Sequence, residues 1–207
     1  MEKAFFVAVF TVALVVNRSQ AMVAVTKVCS AVRVEMRYAT ARNGVGRVVY
    51  PRGARCLLRR GTAARLCRVQ HRLQMVGLGL KVWDAYRPLA VQKALWAICP
   101  DPRFVAPPRR GSMHNRGVAV DVTLVDALGR EQSMPCDFDT FTLRAKTTYG
   151  GGTAEQRRNR AALHAAMTAE GFVPDANEWW HFHDPDWRRC RLANVSLTLS
   201  GHRSRGF

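Results

Sequence analysis

The chain has 207 residues and is 48% hydrophobic, enough for one domain with a real core and too much for a disordered chain. Its 32 Lys and Arg against 15 Asp and Glu give a formal charge of +17, which raises polyanions as partners: nucleic acid, anionic lipid or an acidic wall polymer. Only five of the 32 are lysines (Lys3, Lys27, Lys81, Lys93 and Lys146), and the basic residues do not form one block interleaved with aromatics, so nucleic-acid binding is not expected as the main function.

In chain order, "MEKAFFVAVFTVALVVNRSQAM" comes first. A short polar start with Lys3 leads into an apolar run from Ala4 to Val16, and small residues follow at Ser19 and Ala21. The run is too short to span a bilayer comfortably and fits a secretory signal, with cutting expected after Ala21. The division is therefore residues 1–21 as signal peptide and 22–207 as one mature domain. The protein is expected to be exported, periplasmic or secreted, without stable membrane insertion once the signal is cut. Cys29, Cys56, Cys67, Cys99, Cys136 and Cys190 all follow that point. An even set in an exported chain allows disulfides, and no CxxC suggests a zinc knuckle or a thioredoxin-like pair.

Residues 62–77, "TAARLCRVQHRLQMVG", read as an amphipathic helix capped by Thr62 and stopped by Gly77, with Leu66, Val69, Leu73 and Val76 at helical spacing. "LGLKVWDAY" reads as a buried strand, "PLAVQKALWAI" as a helix with Pro88 in its first turn, and 101–112 as a long loop. "GVAVDVTLV" is a strand with Val118, Val120, Val122 and Leu124 on one face and Ala119, Asp121 and Thr123 on the other. After a turn at "ALGR", "TAEQRRNRAALHAAMTAEG" opens with a capping box (Thr153, Gln156) and closes at Gly171, and "EWWHFH" reads as a last strand. The pattern predicts an α+β fold: a single compact domain with a central antiparallel sheet flanked by helices.

Two features of this pattern need chemistry. Asp121 lies mid-strand among valines, where an unpaired carboxylate is costly. "NEWWHF" sets Glu178 and His181 three residues apart inside the most apolar aromatic cluster. Taken singly, each residue is compatible with packing. Taken together, they point to a metal site on the sheet. Gly117 lets the loop bearing His114 turn back over the face that carries Asp121, and His181 can supply a third donor, leaving one position open as in catalytic zinc sites. Residues three apart on a strand face opposite ways, so Glu178 is expected at the strand entrance or on a bulge, placed as a general base. His71, His164, His183 and His202 have no comparable partners in the sequence and read as surface or packing residues.

"SMHNRGVAVDVTL" follows the pattern S-x-H-x-x-G-x-A-x-D, and "EWWHF" the E-x-x-H that accompanies it; with "DAYRP" at 84–88 and "MRYAT" at 36–40, the stretch from Met36 to Ser196 resembles the zinc D-alanyl-D-alanine dipeptidases of the VanX type, within the D,D-peptidase and hedgehog-like metallopeptidases. The resemblance implies one Zn2+ per chain on His114, Asp121 and His181, with Glu178 as base. It implies Arg87 as the residue steadying the developing oxyanion, Asp139 and Tyr38 facing the substrate ammonium, and Ser112 near the substrate carboxylate. The small dipeptide D-Ala-D-Ala would be the substrate, in cell-wall peptide metabolism. The chain departs from the resemblance in two places: "DTFTLRAKTTYGGG" lacks histidines that several relatives carry there, and the amino terminus reads as a signal. Two other readings stand beside this one. A D,D-carboxypeptidase or endopeptidase acting on peptidoglycan stems would share the zinc chemistry. A non-catalytic basic wall-binding module would have no need of Glu178.

Overall fold

The computed structural model describes residues 20–102 and 105–198. The signal-peptide stretch up to residue 19, and His202, lie outside the described residues. Among those described, no helix is long and apolar enough to cross a membrane.

The elements run β1 (Met22–Ala24), α1 (Val25–Val28), β2 (Arg33–Val34), β3 (Leu57–Arg59), α2 (Arg60–Gln74), β4 (Leu78–Asp84), α3 (Leu89–Ile98), β5 (Ala119–Asp126), α4 (Ala154–Ala169), β6 (Val173–Pro174) and β7 (His181–His183). β1 pairs with β3 in a small ribbon, and the main sheet has the order β2-β4-β5-β7-β6. This is the expected α+β domain, with one refinement. The pairings of β4 with β5, β5 with β7 and β6 with β7 are antiparallel, but the short edge strand β2 runs parallel to β4.

β5 sits at the centre and is buried on both faces, which is why it reads as a near-continuous apolar run. Val120, Val122 and Leu124 join one core cluster with Leu66, Val69 and Leu73 of α2 and Leu163 and Met167 of α4. The Leu66, Val69 and Leu73 stripe that made α2 legible as a helix is the face turned into this core, while Val76 lies beyond the helix end at Gln74 and is exposed. Trp179 and Trp180 also pack there, edge to face at 5.4 Å, with Trp83 against Trp179 at 5.8 Å and Phe138 against Trp180 at 5.9 Å.

Two local expectations shift. α2 begins at Arg60, so Thr62 lies inside the helix and caps nothing; the buried Thr62 hydroxyl instead donates to Asp184 at 3.4 Å. The strand read over "EWWHFH" is only His181–His183. Glu178–Trp180 form a turn closed by the His181 N–H donating to the Glu178 carbonyl at 3.1 Å, because both tryptophans are drawn into the core. All six cysteines are free thiols. The capping box of α4 forms as read, with the Thr153 side chain accepting from Gln156 N–H and the Gln156 side chain accepting in return. "MRYAT" is anchored by Arg37, which is fully buried, pairs with Glu35 at 2.9 Å, Glu131 at 3.1 Å and Asp137 at 3.3 Å, and lies 4.7 Å from the centre of the Trp83 ring. This cluster sets the position of Tyr38.

Leu124 lies at the centre of the core, fully buried. Leu124→Ala should lower the unfolding free energy by about 2–5 kcal/mol. Denaturant titration checks this, and an unchanged midpoint would remove that face of β5 from the core.

Candidate active site

The site is built on one row across three strands. In the sheet register Asp84 of β4 stands opposite Asp121 of β5, and Asp121 stands opposite His181 of β7. Directly opposed residues of antiparallel strands project to the same face, so two carboxylates and an imidazole converge there. A register shift between Val82 and Asp84 brings Asp84 into the row. His114 arrives from outside the sheet. It opens a 3-10 turn (His114–Arg116) that ends at Gly117, whose φ of 71° is left-handed. A Cβ at Gly117 would also meet Met22 Sδ at 2.7 Å. The turn expected from Gly117 is therefore present, for the expected reason.

His181 Nδ1 lies 2.9 Å from Asp121 Oδ1 and 3.1 Å from His114 Nε2, and His114 Nε2 lies 3.4 Å from Asp121 Oδ2. All three residues are buried. The Nδ1 of His114 is 2.7 Å from the Ala85 carbonyl, which can only accept, so that nitrogen carries the proton and Nε2 presents its lone pair to the cluster. Two imidazole nitrogens and a carboxylate at these separations suit three donors sharing one zinc ion at about 2.0–2.2 Å each. Burial opposes ionisation of Asp121, but His114 and His181, when protonated, outweigh it by charge and hydrogen bonding and hold the carboxyl below the usual carboxylate range.

Glu178 is brought by its turn to 4.0 Å from His181 Nδ1, at the entrance to β7, with its side chain 26% exposed. Burial, with Asp121, Asp139 and Asp175 nearby, pushes its carboxyl up to about 8 against the pull of His181. Arg87 is buried across the cleft. Its Nε and Nη2 donate to the same Asp84 oxygen at 3.1 and 2.7 Å, and Nη1 donates to Gln92 at 3.2 Å. Its guanidinium carbon sits 4.8 Å from the centre of the Tyr38 ring. Asp84 also accepts from the Tyr50 hydroxyl at 2.6 Å.

Asp139 adopts φ 54°, and its Oδ2 accepts from the Gly44 N–H at 3.1 Å. A Cβ on Gly44 would stand 2.6 Å from Asp139 Cβ, so the approach requires glycine. Burial, aided by the charge of Asp121, pushes the Asp139 carboxyl up to about 6. Ser112 is tied to Asn115: its N–H and hydroxyl donate to Asn115 Oδ1 at 2.6 and 3.1 Å.

Tyr38, Arg87, Ser112, His114, Asp121, Asp139, Glu178 and His181 thus line a single cavity of about 360 Å³. Every site residue expected from the sequence is in it. Sequence reasoning passed over the residues that hold these eight. Asp84 clamps Arg87, and its position three residues before the arginine in "DAYRP" was the available signal. Asn115 is fully buried and bonds both Ser112 and the Arg87 carbonyl, the latter at 2.7 Å. Gly44 had no signal beyond being a glycine in a loop.

The sequence model of the peptidase M15 family, described as D-ala-D-ala dipeptidase, matches residues 18–195. The chain is 40% identical over 152 residues to the D-alanyl-D-alanine dipeptidase of Escherichia coli K12, covering 73% of this chain and 78% of that protein. It is 31% identical over 181 residues to the D-alanyl-D-alanine dipeptidase of Streptomyces coelicolor A3(2), covering 76% and 88%. With that of Enterococcus faecalis V583 the identity is 29% over 171 residues, covering 73% and 85%. With a buried His-Asp-His group on its sheet and a family match along nearly all of its described length, the chain belongs to the M15 metallopeptidases, the family of D-alanyl-D-alanine dipeptidases.

Proposed function

We propose that this protein hydrolyses D-Ala-D-Ala to two molecules of D-alanine, with one zinc ion per chain held by His114, Asp121 and His181. The observation that carries this reading is the convergence of three metal donors, a carboxylate at the strand entrance and a clamped arginine on one small cavity. Zinc in such a site supplies a Lewis acid beside the scissile carbonyl and lowers the pKa of water. Glu178 takes the proton of the attacking water and delivers it to the leaving amine. Arg87, its fork fixed by Asp84 and by the Tyr38 ring, donates to the carbonyl oxygen as negative charge develops. Asp139 faces the substrate ammonium, since a carboxyl raised by burial gains from an approaching cation. Tyr38 walls that side, and Ser112 lies where the substrate carboxylate docks.

We further propose that residues 1–21 are a signal removed on export and that 22–207 is the mature domain. In support, β1 begins at Met22, immediately beyond the proposed cut, and pairs with β3. Amino-terminal sequencing of protein recovered outside the cytoplasm should read from Met22; an intact Met1 on soluble cytoplasmic protein would sink this part.

Glu178→Gln should retain zinc while turnover falls by about a hundredfold or more, the loss expected for a general base. His181→Ala should lose both metal and turnover. A fully active Glu178→Gln enzyme would leave Glu178 a packing residue.

Substrate length tests Asp139. Acetylating the dipeptide amine removes its charge and leaves Asp139 without a cation, a mismatch expected to cost on the order of a thousandfold in specificity. Free D-Ala-D-Ala should be cleaved and the N-acetyl form hardly at all, and Asp139→Ala should narrow the gap. Equal rates on both substrates would replace the dipeptidase with a carboxypeptidase on the same zinc chemistry.

A further inference from the structure

A second cluster of metal-binding side chains lies on another part of the molecule. Cys29 closes the short helix α1, its N–H donating to the Val25 carbonyl at 2.8 Å. Cys67 and His71 lie one turn apart on α2, a spacing that stacks them on one helix face. Cys67 Sγ lies 3.8 Å from His71 Nε2 and 3.7 Å from the Val28 carbonyl. One ligand atom from each of Cys29, Cys67 and His71 falls within 4.8 Å of the others. None of the three lines the cavity around His114, Asp121 and His181. His71, which has no partner in the sequence pattern, therefore acquires two thiols in the fold.

We propose that Cys29, Cys67 and His71 form a second, thiolate-rich site for a soft divalent cation of the zinc or cadmium kind, which clips the amino-terminal segment to α2. The geometry favours a cation over a disulfide. A tetrahedral ion with sulfur at about 2.3 Å and nitrogen at about 2.0–2.1 Å needs neighbouring donors roughly 3.5–3.8 Å apart. The Cys67–His71 separation of 3.8 Å matches that edge. A disulfide would need the two sulfurs at about 2.05 Å and has no use for a histidine nitrogen turned toward one of them.

The charges also balance. Two thiols each lose a proton to solvent, and the two thiolates with a neutral imidazole and a divalent ion make a neutral group, which tolerates the burial of Cys29. The gradient of exposure, from buried Cys29 through half-buried Cys67 to exposed His71, gives the ion a path in from solvent. Bound there, it ties together residues 38 apart in the chain and fixes the end of α1 against α2, away from the cleavage chemistry.

Reduced protein with its catalytic zinc in place, titrated with cadmium chloride, tests this. One further equivalent should bind with a thiolate-to-cadmium ultraviolet charge-transfer band, which a His-Asp-His site cannot produce. Cys67→Ser should abolish the band. His71→Ala, at an exposed position that leaves folding intact, should keep the band and weaken cadmium binding by about tenfold or more. Hydrolysis of D-Ala-D-Ala should be unaffected in both variants. No band in the wild type, or identical titrations for wild type and His71→Ala, would overturn the proposal. Peptide mapping of unreduced protein that finds Cys29 cross-linked to Cys67 would overturn it in favour of a disulfide.

Discussion

Asp121 is the constraint around which the site is arranged. It is a buried carboxylate near the start of the most buried strand, on the face that lines the cavity. An uncompensated charge there would cost several kcal/mol, a large part of the margin by which a domain of this size is folded. The fold meets that cost by direct opposition in the sheet: His181 stands across from Asp121 on β7, and the His114 turn closes over both. The same three residues that make the buried charge tolerable present two nitrogens and an oxygen to one point. Stability and metal affinity are thus properties of one arrangement, and removing a single member would disturb both.

The arginines follow a similar economy. Arg87 and Arg37 are buried, and each is fixed by carboxylates and by an aromatic face, Tyr38 for one and Trp83 for the other. Arg37 holds the segment that carries Tyr38, and Tyr38 in turn forms the wall against which Arg87 lies. The positioning of the guanidinium in the cleft therefore reaches back, through the Tyr38 ring and its chain neighbour Arg37, to the ion pairs with Glu35, Glu131 and Asp137. A lysine could neither fork onto Asp84 nor lie flat on a ring. The arginine-rich composition includes at least these two positions where only arginine suits the geometry.

Around this centre the loops are held by backbone conformations that only certain residues permit. Gly117 turns the chain so that His114 returns over the sheet, and Gly44 lets its loop touch the backbone of Asp139, itself held at φ 54°. Such sites concentrate strain where function needs a side chain aimed against its natural direction. Asn115 performs the complementary task by hydrogen bonding, joining Ser112 to the Arg87 backbone from a fully buried position.

From the sequence alone came the α+β class, the helices over α2, α3 and α4, the central strand, and His114, Asp121, Glu178 and His181 of the site, while Tyr38, Arg87, Ser112 and Asp139 were implied by the family resemblance. These were legible because they obey short-range rules: apolar period, capping box, Gly117 between His114 and Asp121, and motif spacing along the chain. What the sequence left undecided has a common cause in long-range packing. The helix start at Arg60 instead of Thr62 and the short β7 depend on tertiary contacts, the latter on two tryptophans drawn into the core. The parallel edge of β2, the opposition of Asp84 to Asp121, and the meeting of His71 with Cys29 join residues whose separation in the chain carries no periodic signal. Register across strands is set by which faces are buried together, and that is decided only when the whole domain closes.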